Sequence, residues 1–128
     1  TGLTHALLGI ETLDDLLAHP VAGPSWEGFV IESLLAVAPI STRASFYRTS
    51  AGAEVDLILE MGASHGTWAI EVKRTRAPKV EKGFRIAIDD IKPNRAFVDY
   101  GGEDGYSLGS GVEAISVRGL AAILAALS

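Results

Sequence analysis

Two carboxylates and a lysine, Asp56, Glu71 and Lys73, lie on two stretches in which apolar and polar residues alternate. Alternation of this kind over residues 53–60 and 67–73 is typical of half-buried strands. The six residues between the stretches are mostly small or turn-forming, as in the link of a β-hairpin. The pattern therefore predicts a hairpin that brings the three charged residues together.

A hairpin loop centred between residues 63 and 64 sets the strand register. It would place Asp56 opposite Glu71, and Glu54 opposite Lys73. The other face of the same hairpin is apolar and would face a core through Val55, Leu57, Leu59, Trp68, Ile70 and Val72. Like charges placed directly opposite each other destabilise a strand pair. A divalent cation that prefers carboxylate oxygen, such as Mg²⁺, would relieve the repulsion.

Lys73 follows Glu71 by two residues and projects into the same space. Its ammonium could orient an attacking water or neutralise negative charge that develops on a phosphorane, which suits phosphodiester cleavage. Glu54 could hold that ammonium in place or form an ordinary cross-strand ion pair with it. The alternative without chemistry is a structural cluster made of the same charges.

A helix over residues 26–37 precedes the hairpin, with Trp26, Val30, Leu34 and Val37 on one arc. Glu27 falls inside that arc, and a carboxylate on a core-facing stripe is costly unless it is paired or ligated. We therefore expect Glu27 to supply a third acid to the site. The structural alternative is that Glu27 bonds a backbone amide or an arginine such as Arg48.

The remaining patterns predict an α/β domain around a central mixed sheet of four to six strands. A strand over 43–49 joins the hairpin in a three-strand antiparallel meander. A helix over 79–91 followed by a strand over 95–100 predicts a crossover with parallel pairing. The chain then predicts two short strands, 106–108 and 112–117, and an apolar helix over 119–127.

The motif formed by Asp56 and, fifteen positions later, Glu71-Val72-Lys73 resembles the core of the PD-(D/E)XK nuclease superfamily, although Val55 replaces the proline. The chain is also similar to the uncharacterised domain at the C-terminus of bacterial and archaeal AAA-type ATPases, in which valine is common there. That resemblance covers roughly the first two thirds of the chain and rests on Thr1-Gly2-Leu3, Trp26-Glu27-Gly28-Phe29-Val30, Phe46-Tyr47-Arg48-Thr49, Glu54-Val55-Asp56 and Glu71-Val72-Lys73.

The resemblance implies a restriction-endonuclease-like fold and a Mg²⁺-dependent (or Mn²⁺-dependent) nuclease acting on DNA or RNA. The metal would be bound by Asp56, Glu71 and the Val72 carbonyl, with Glu27 completing or polarising the shell. Lys73 would act on water or on the transition state, with Glu54 behind it. The resemblance equally allows a catalytically silent nucleic-acid- or protein-binding module attached to an ATPase.

Composition bounds these hypotheses. The chain has 128 residues, 48% apolar and 21% charged, which suits one folded domain at residues 24–128. Residues 1–23 would form two short helices, leading from an ATPase domain in the same chain. Neither a membrane span nor a signal peptide is recognisable, and the absence of cysteine fits the cytoplasm.

The net charge of −5 speaks against a general nucleic-acid binder, but the charge is uneven along the chain. Residues 1–42 contain no lysine or arginine, whereas residues 73–95 contain eight. This basic stretch is either an ordinary solvated surface or a rim that contacts a phosphate backbone. In the second case the substrate-binding residues would be Arg48, Arg74, Arg76 and Lys79; Arg48 could instead pair with Glu54.

Overall fold

The computed structural model describes residues 26–127, which form four helices and six strands. The expected helices within residues 1–23 lie outside the described residues. In chain order the elements are α1 Trp26–Val37, β1 Arg43–Arg48, β2 Glu54–Glu60, α2 Gly62–His65, β3 Thr67–Val72, α3 Lys82–Ile91, β4 Arg95–Tyr100, β5 Tyr106–Gly109, β6 Val112–Ser116 and α4 Val117–Ala126.

The six strands form one open mixed sheet in the order β1-β2-β3-β4-β6-β5. Strands β1, β2 and β3 pair in antiparallel fashion, which confirms the predicted meander. Strand β4 is parallel to β3, with α3 between them in the chain, which confirms the predicted crossover. Strand β6 is parallel to β4 and antiparallel to β5. The predicted α/β class and strand number are therefore confirmed.

Helices cover both faces of this sheet. On one face α1 and α4 pack over Leu57, Leu59, Ile70 and Phe97. On the other face α3 contributes Phe84 and Ala87 to a core with Val55, Ile58, Ala69, Ala96 and Val98. The prediction of a hairpin with one apolar and one polar face was therefore wrong for most of its length, because a sheet covered by helices on both sides buries both of its faces.

A bulge in β2 interrupts the strand at the predicted site. Ser45 pairs with Ile58 and Tyr47 with Val55. Between these two pairs β1 has one residue, whereas β2 has two. The additional residue places both Asp56 and Leu57 opposite Phe46. As a result, Val55 packs on the α3 side, whereas the sequence alternation had placed it on the same face as Leu57.

Local sequence explains how the two later helices begin and end. The Ser116 side chain accepts a hydrogen bond from the Gly119 amide at 2.9 Å and so starts α4 at Val117, two residues earlier than predicted. Helix α3 begins at Lys82, three residues later than predicted, after an extended Glu81. It ends at Ile91, and the following residue, Lys92, caps it. Lys92 has a left-handed backbone with a φ of 52°, and its amide donates a hydrogen bond to the Ile88 carbonyl.

Within residues 26–127, no helix is long and apolar enough to cross a membrane.

Candidate active site at the fork between β2 and β3

Strands β2 and β3 separate at Asp56. Their backbone ladder runs from Glu60–Thr67 to Leu57–Ile70, in the predicted register, and stops there. Beyond that point the Asp56 carboxylate oxygen Oδ2 accepts a hydrogen bond from the Val72 amide at 2.8 Å. The side chain takes the place of a strand carbonyl, because the bulge has turned the first part of β2 away.

The expected pairing of Glu54 with Lys73 is therefore wrong. Glu54 pairs with Arg48 across β1 and β2, and the Arg48 guanidinium lies 2.9 Å from Glu54 Oε1. This was the predicted alternative for Arg48. Both side chains are well exposed, so the ion pair adds little to stability.

Glu71 is a buried acid whose surroundings leave one oxygen without a partner. Only 8% of the residue is exposed, and Oε2 has no hydrogen-bond partner among the described residues. Because Ile70 and Val72 point to the α1 side, Glu71 points to the α3 side. Burial raises the pKa of Glu71 to about 7; Asp56 and Glu81 add to the rise and Lys73 opposes it.

Lys73 lies between two carboxylates. Its ammonium is 3.6 Å from Glu71 Oε1 and 3.6 Å from Glu81 Oε1. Glu81 immediately precedes α3, and the sequence analysis did not single it out. One signal was available, since Glu81 is the only acid between Lys73 and Asp89 in a strongly basic stretch.

Glu27 lies in the first turn of α1 and is exposed, so the prediction of a core-facing carboxylate was wrong. The wheel placed it on the apolar arc, but the first turn of a helix can extend past the core that the later turns cover. Glu27 nevertheless interacts electrostatically with the residues of the site. Partial burial raises its pKa, the carboxylates of Asp56 and Glu54 raise it further, and Arg48 lowers it.

Asp56 is the carboxylate that influences both Glu27 and Glu71. Its charge raises the pKa of Glu27 on α1 and the pKa of Glu71 on β3, so Asp56 is close enough to interact with both. In the described part of the chain, however, no three acidic or histidine side chains are grouped closely enough to hold a metal ion. Residues 26–127 therefore offer two carboxylates, Asp56 and Glu71, rather than a preformed set of three.

These two carboxylates fit a hard divalent cation. The Val72 amide occupies one Asp56 oxygen, and Glu71 retains the buried oxygen Oε2 without a partner. Mg²⁺ commonly binds through one or two carboxylates and takes its other ligands from water and substrate phosphates. The donor set agrees with that habit, and the role expected of the Val72 carbonyl stays a prediction.

The basic residues near the fork differ in their surroundings. The Arg74 guanidinium lies over the Trp26 ring, 5.7 Å from its centre, which ties the segment after β3 to the start of α1. Arg76 and Lys79 are exposed in the segment between β3 and α3. Of the four predicted substrate-binding residues, Arg48 and Arg74 thus contact protein groups, and Arg76 and Lys79 face solvent.

A second buried acid, Asp99, was missed by the sequence analysis. It is fully buried in β4, and neither of its carboxylate oxygens has a hydrogen-bond partner in the described residues. Burial raises its pKa well above the ordinary range. Asp99 lies two residues after Phe97, on the α1 and α4 side, so it is separated by the sheet from Glu71. An acid inside the apolar run of residues 95–100 was the available signal.

Comparison with known proteins gives a family and two relatives. The model of a domain of unknown function (DUF4143) matches residues 22–120. The uncharacterized protein Rv2008c of Mycobacterium tuberculosis is 39% identical over 116 residues, which are 90% of this chain and 25% of that protein. The uncharacterized protein Mb2031c of Mycobacterium bovis matches with the same identity and coverage. The chain thus spans a quarter of the length of these curated relatives. No solved structure matches it significantly.

Proposed function

The chain belongs to the DUF4143 domain family, and we propose that it is a Mg²⁺-dependent phosphodiesterase of the PD-(D/E)XK nuclease type. One observation carries the proposal. Within residues 26–127, Glu71 is buried with Oε2 unpartnered, Asp56 lies beside it at the fork, and Lys73 comes directly after the strand that carries Glu71. Buried polar groups are usually hydrogen-bonded, and Glu71 differs from buried Asp99 in having a second carboxylate and a lysine beside it.

The residues of the fork would divide the work. Asp56 and Glu71 would bind the cation, and the Val72 amide would fix the orientation of Asp56 through the 2.8 Å hydrogen bond. When bound, Mg²⁺ supplies Lewis-acid activation of the phosphodiester and of water. Lys73 would stabilise negative charge on the phosphoryl oxygens. Glu27 would act on Asp56 from the α1 side as a further acid of the site.

We propose DNA or RNA as the substrate. Arg76 and Lys79, which face solvent between β3 and α3, would contact the phosphate backbone. Arg74 and Arg48 would join them if nucleic acid displaces their contacts with Trp26 and Glu54. The resemblance further suggests that the domain works in the cytoplasm with an ATPase domain of the same polypeptide, and the greater length of the relatives leaves room for one.

The second candidate is a silent binding module that regulates such an ATPase. It is favoured by the absence of a three-ligand group in residues 26–127 and by the mutual pairing of Lys73, Glu71 and Glu81. A lysine that already offsets part of the carboxylate charge lessens the need for a metal. This candidate uses the same fold without cleavage.

A cleavage assay separates the two candidates. Plasmid, single-stranded and branched DNA and single-stranded RNA would be incubated with the purified chain and Mg²⁺ or Mn²⁺. The comparison is with Lys73→Met, which retains the stem and removes the charge, and with the control Lys92→Met at the far end of α3. The proposal expects cleavage by the wild type and the control and loss of it in Lys73→Met. Binding without cleavage by all three proteins would favour the silent module.

A further inference from the structure

Glu81 is a second acid within ion-pair distance of Lys73, besides Glu71. The two ammonium–carboxylate distances are equal at 3.6 Å, but the two acids differ in their surroundings. The Glu71 side chain is 10% exposed and lies on β3, which ends at Val72 directly before Lys73, whereas the Glu81 side chain is 45% exposed and belongs to the residue that immediately precedes α3. Lys73 is therefore tied to two separate elements of the fold.

Glu81 has no competing role in its own helix. It is the residue before α3, its backbone is extended, and its side chain makes no capping hydrogen bond. Its carbonyl accepts the Arg85 amide at 3.0 Å and so begins the helix. The carboxylate is consequently left to Lys73, although its charge also suits the positive end of the helix.

The start of α3 is held firmly enough to position a side chain. A Cβ on Gly83 would lie 2.5 Å from the Gly52 carbonyl oxygen, so α3 approaches the turn between β1 and β2 as closely as a glycine allows. Lys73 follows the last residue of β3, and its amide donates to the Asp99 carbonyl at 2.8 Å. Lys73 is thus bonded to β4 through its backbone, and Glu81 starts a helix that packs closely against the turn between β1 and β2.

A lysine ammonium on a flexible stem needs such an anchor. Lysine loses considerable rotamer freedom when it is fixed, and Glu71 cannot give its charge to a cation and to Lys73 in full at once. We propose that Glu81 is a positioning residue that keeps the Lys73 ammonium directed at the fork. This inference rests on the proposed function for its purpose, but the contact itself can be tested without any activity.

The test measures how fast each lysine is acetylated by N-hydroxysuccinimide acetate in the metal-free chain, using peptide mass spectrometry. Glu81→Gln retains the shape of the side chain and removes its charge. Glu113→Gln is the matched control, because Glu113 pairs with Arg95 through an ion pair of 2.9 Å on another part of the sheet. Lys92 at the end of α3 serves as the internal reference for folding.

We expect Lys73 in Glu81→Gln to react about 2- to 5-fold faster relative to Lys92, the range expected when one partly exposed ion pair is removed. Glu113→Gln should leave this ratio unchanged. Equal Lys73 ratios in Glu81→Gln and the wild type would overturn the inference.

Cleavage gives the second arm. Under single-turnover conditions Glu81→Gln should lower the rate about tenfold without changing the Mg²⁺ concentration that gives half the maximal rate. A rate equal to that of the wild type would overturn the positioning role. If the wild type cleaves none of the substrates, the proposed function fails, and the acetylation ratio alone decides whether Glu81 holds Lys73.

Discussion

The Asp56 carboxylate accepts the Val72 amide at 2.8 Å, in place of a backbone carbonyl of β2. This hydrogen bond joins the two strands just beyond Leu57–Ile70, where the bulge in β2 has ended their backbone ladder. It also orients Asp56, one of the two proposed metal ligands. The donor, the Val72 amide, lies on the strand that carries the other ligand, Glu71. Strand geometry and site geometry are therefore set by the same contact.

Removing that acceptor should destabilise the fold in a way that depends on the substitute. Asp56→Ala leaves the Val72 amide without a partner at a residue that is only 6% exposed. We expect a loss of about 1–3 kcal/mol in the free energy of unfolding. Asp56→Asn keeps an oxygen acceptor and should lose less than about 1 kcal/mol. Urea unfolding measures both, and equal losses in the two variants would show that the hydrogen bond is not what matters.

Stability should fall as pH rises toward 8, in part because of Glu71. Burial raises the pKa of Glu71 to about 7 in the folded chain, against 4.5 for an ordinary glutamate. The unfolded state therefore loses the proton first, and the contribution is most favourable below pH 4.5 and is lost as pH rises through 7. The full loss is about 3 kcal/mol.

Glu71→Gln should flatten this decline between pH 5 and pH 8. Buried Asp99, whose pKa is also raised, contributes in the same direction and remains in the variant, so a shallower slope is expected instead of a flat line. Urea unfolding at four pH values measures the slope. A variant with the wild-type slope would show that Glu71 does not titrate in this range.

Gly83→Ala should destabilise the chain, although alanine favours helices more than glycine does. The added methyl would lie 2.5 Å from the Gly52 carbonyl oxygen and would push α3 away from the turn between β1 and β2. We expect a loss of about 1–3 kcal/mol, as for overpacked sites. Gly105→Ala is the control, because its nearest neighbour, the Ala114 carbonyl oxygen, is at 3.6 Å. Thermal unfolding compares them, and a stabilised Gly83→Ala would refute the close approach.

Neutralising the solvent-facing basic residues should weaken nucleic-acid binding. The double variant Arg76→Gln, Lys79→Gln removes two charges between β3 and α3, and Arg43→Gln removes one at the opposite end of the β2 ladder, beside Glu60. Fluorescence anisotropy with a labelled oligonucleotide in Ca²⁺ at several salt concentrations should show weaker binding and a shallower salt slope for the double variant only. Equal effects of Arg43→Gln would indicate non-specific attraction.

Sequence patterns predicted most of the fold, because the elements have strong periodicity and clear ends. The bounds of α1 and β4 are as predicted, and the register of the hairpin is correct from Leu57 to Glu60. The bulge at Asp56 was not predictable, since alternation over residues 53–60 continues through it. Its consequence was the wrong partner for Glu54.

Sequence patterns predicted only those parts of the candidate site that lie on regular strands or directly after them. Asp56 and Glu71 lie on the two strands of the hairpin and Lys73 directly follows the second strand, so the alternating pattern was enough to indicate that Glu71 is near both. Glu81 reaches Lys73 from the start of a crossover helix, and such tertiary placement leaves no periodic signal in the chain. Asp99 was missed because the strand around it is apolar, and a single acid does not change that pattern.

Titration of Mg²⁺ into the purified chain at pH 8, followed by calorimetry, tests whether Asp56 and Glu71 bind a divalent cation. At this pH Glu71 is ionised, as a metal ligand must be. We expect saturable Mg²⁺ binding by the wild type and loss of that binding in Asp56→Asn. The control is Glu60→Gln, which removes an exposed acid at the other end of β2 and should bind Mg²⁺ as the wild type does. Equal Mg²⁺ binding by Asp56→Asn and the wild type, or saturable binding by none of the three, would contradict this expectation.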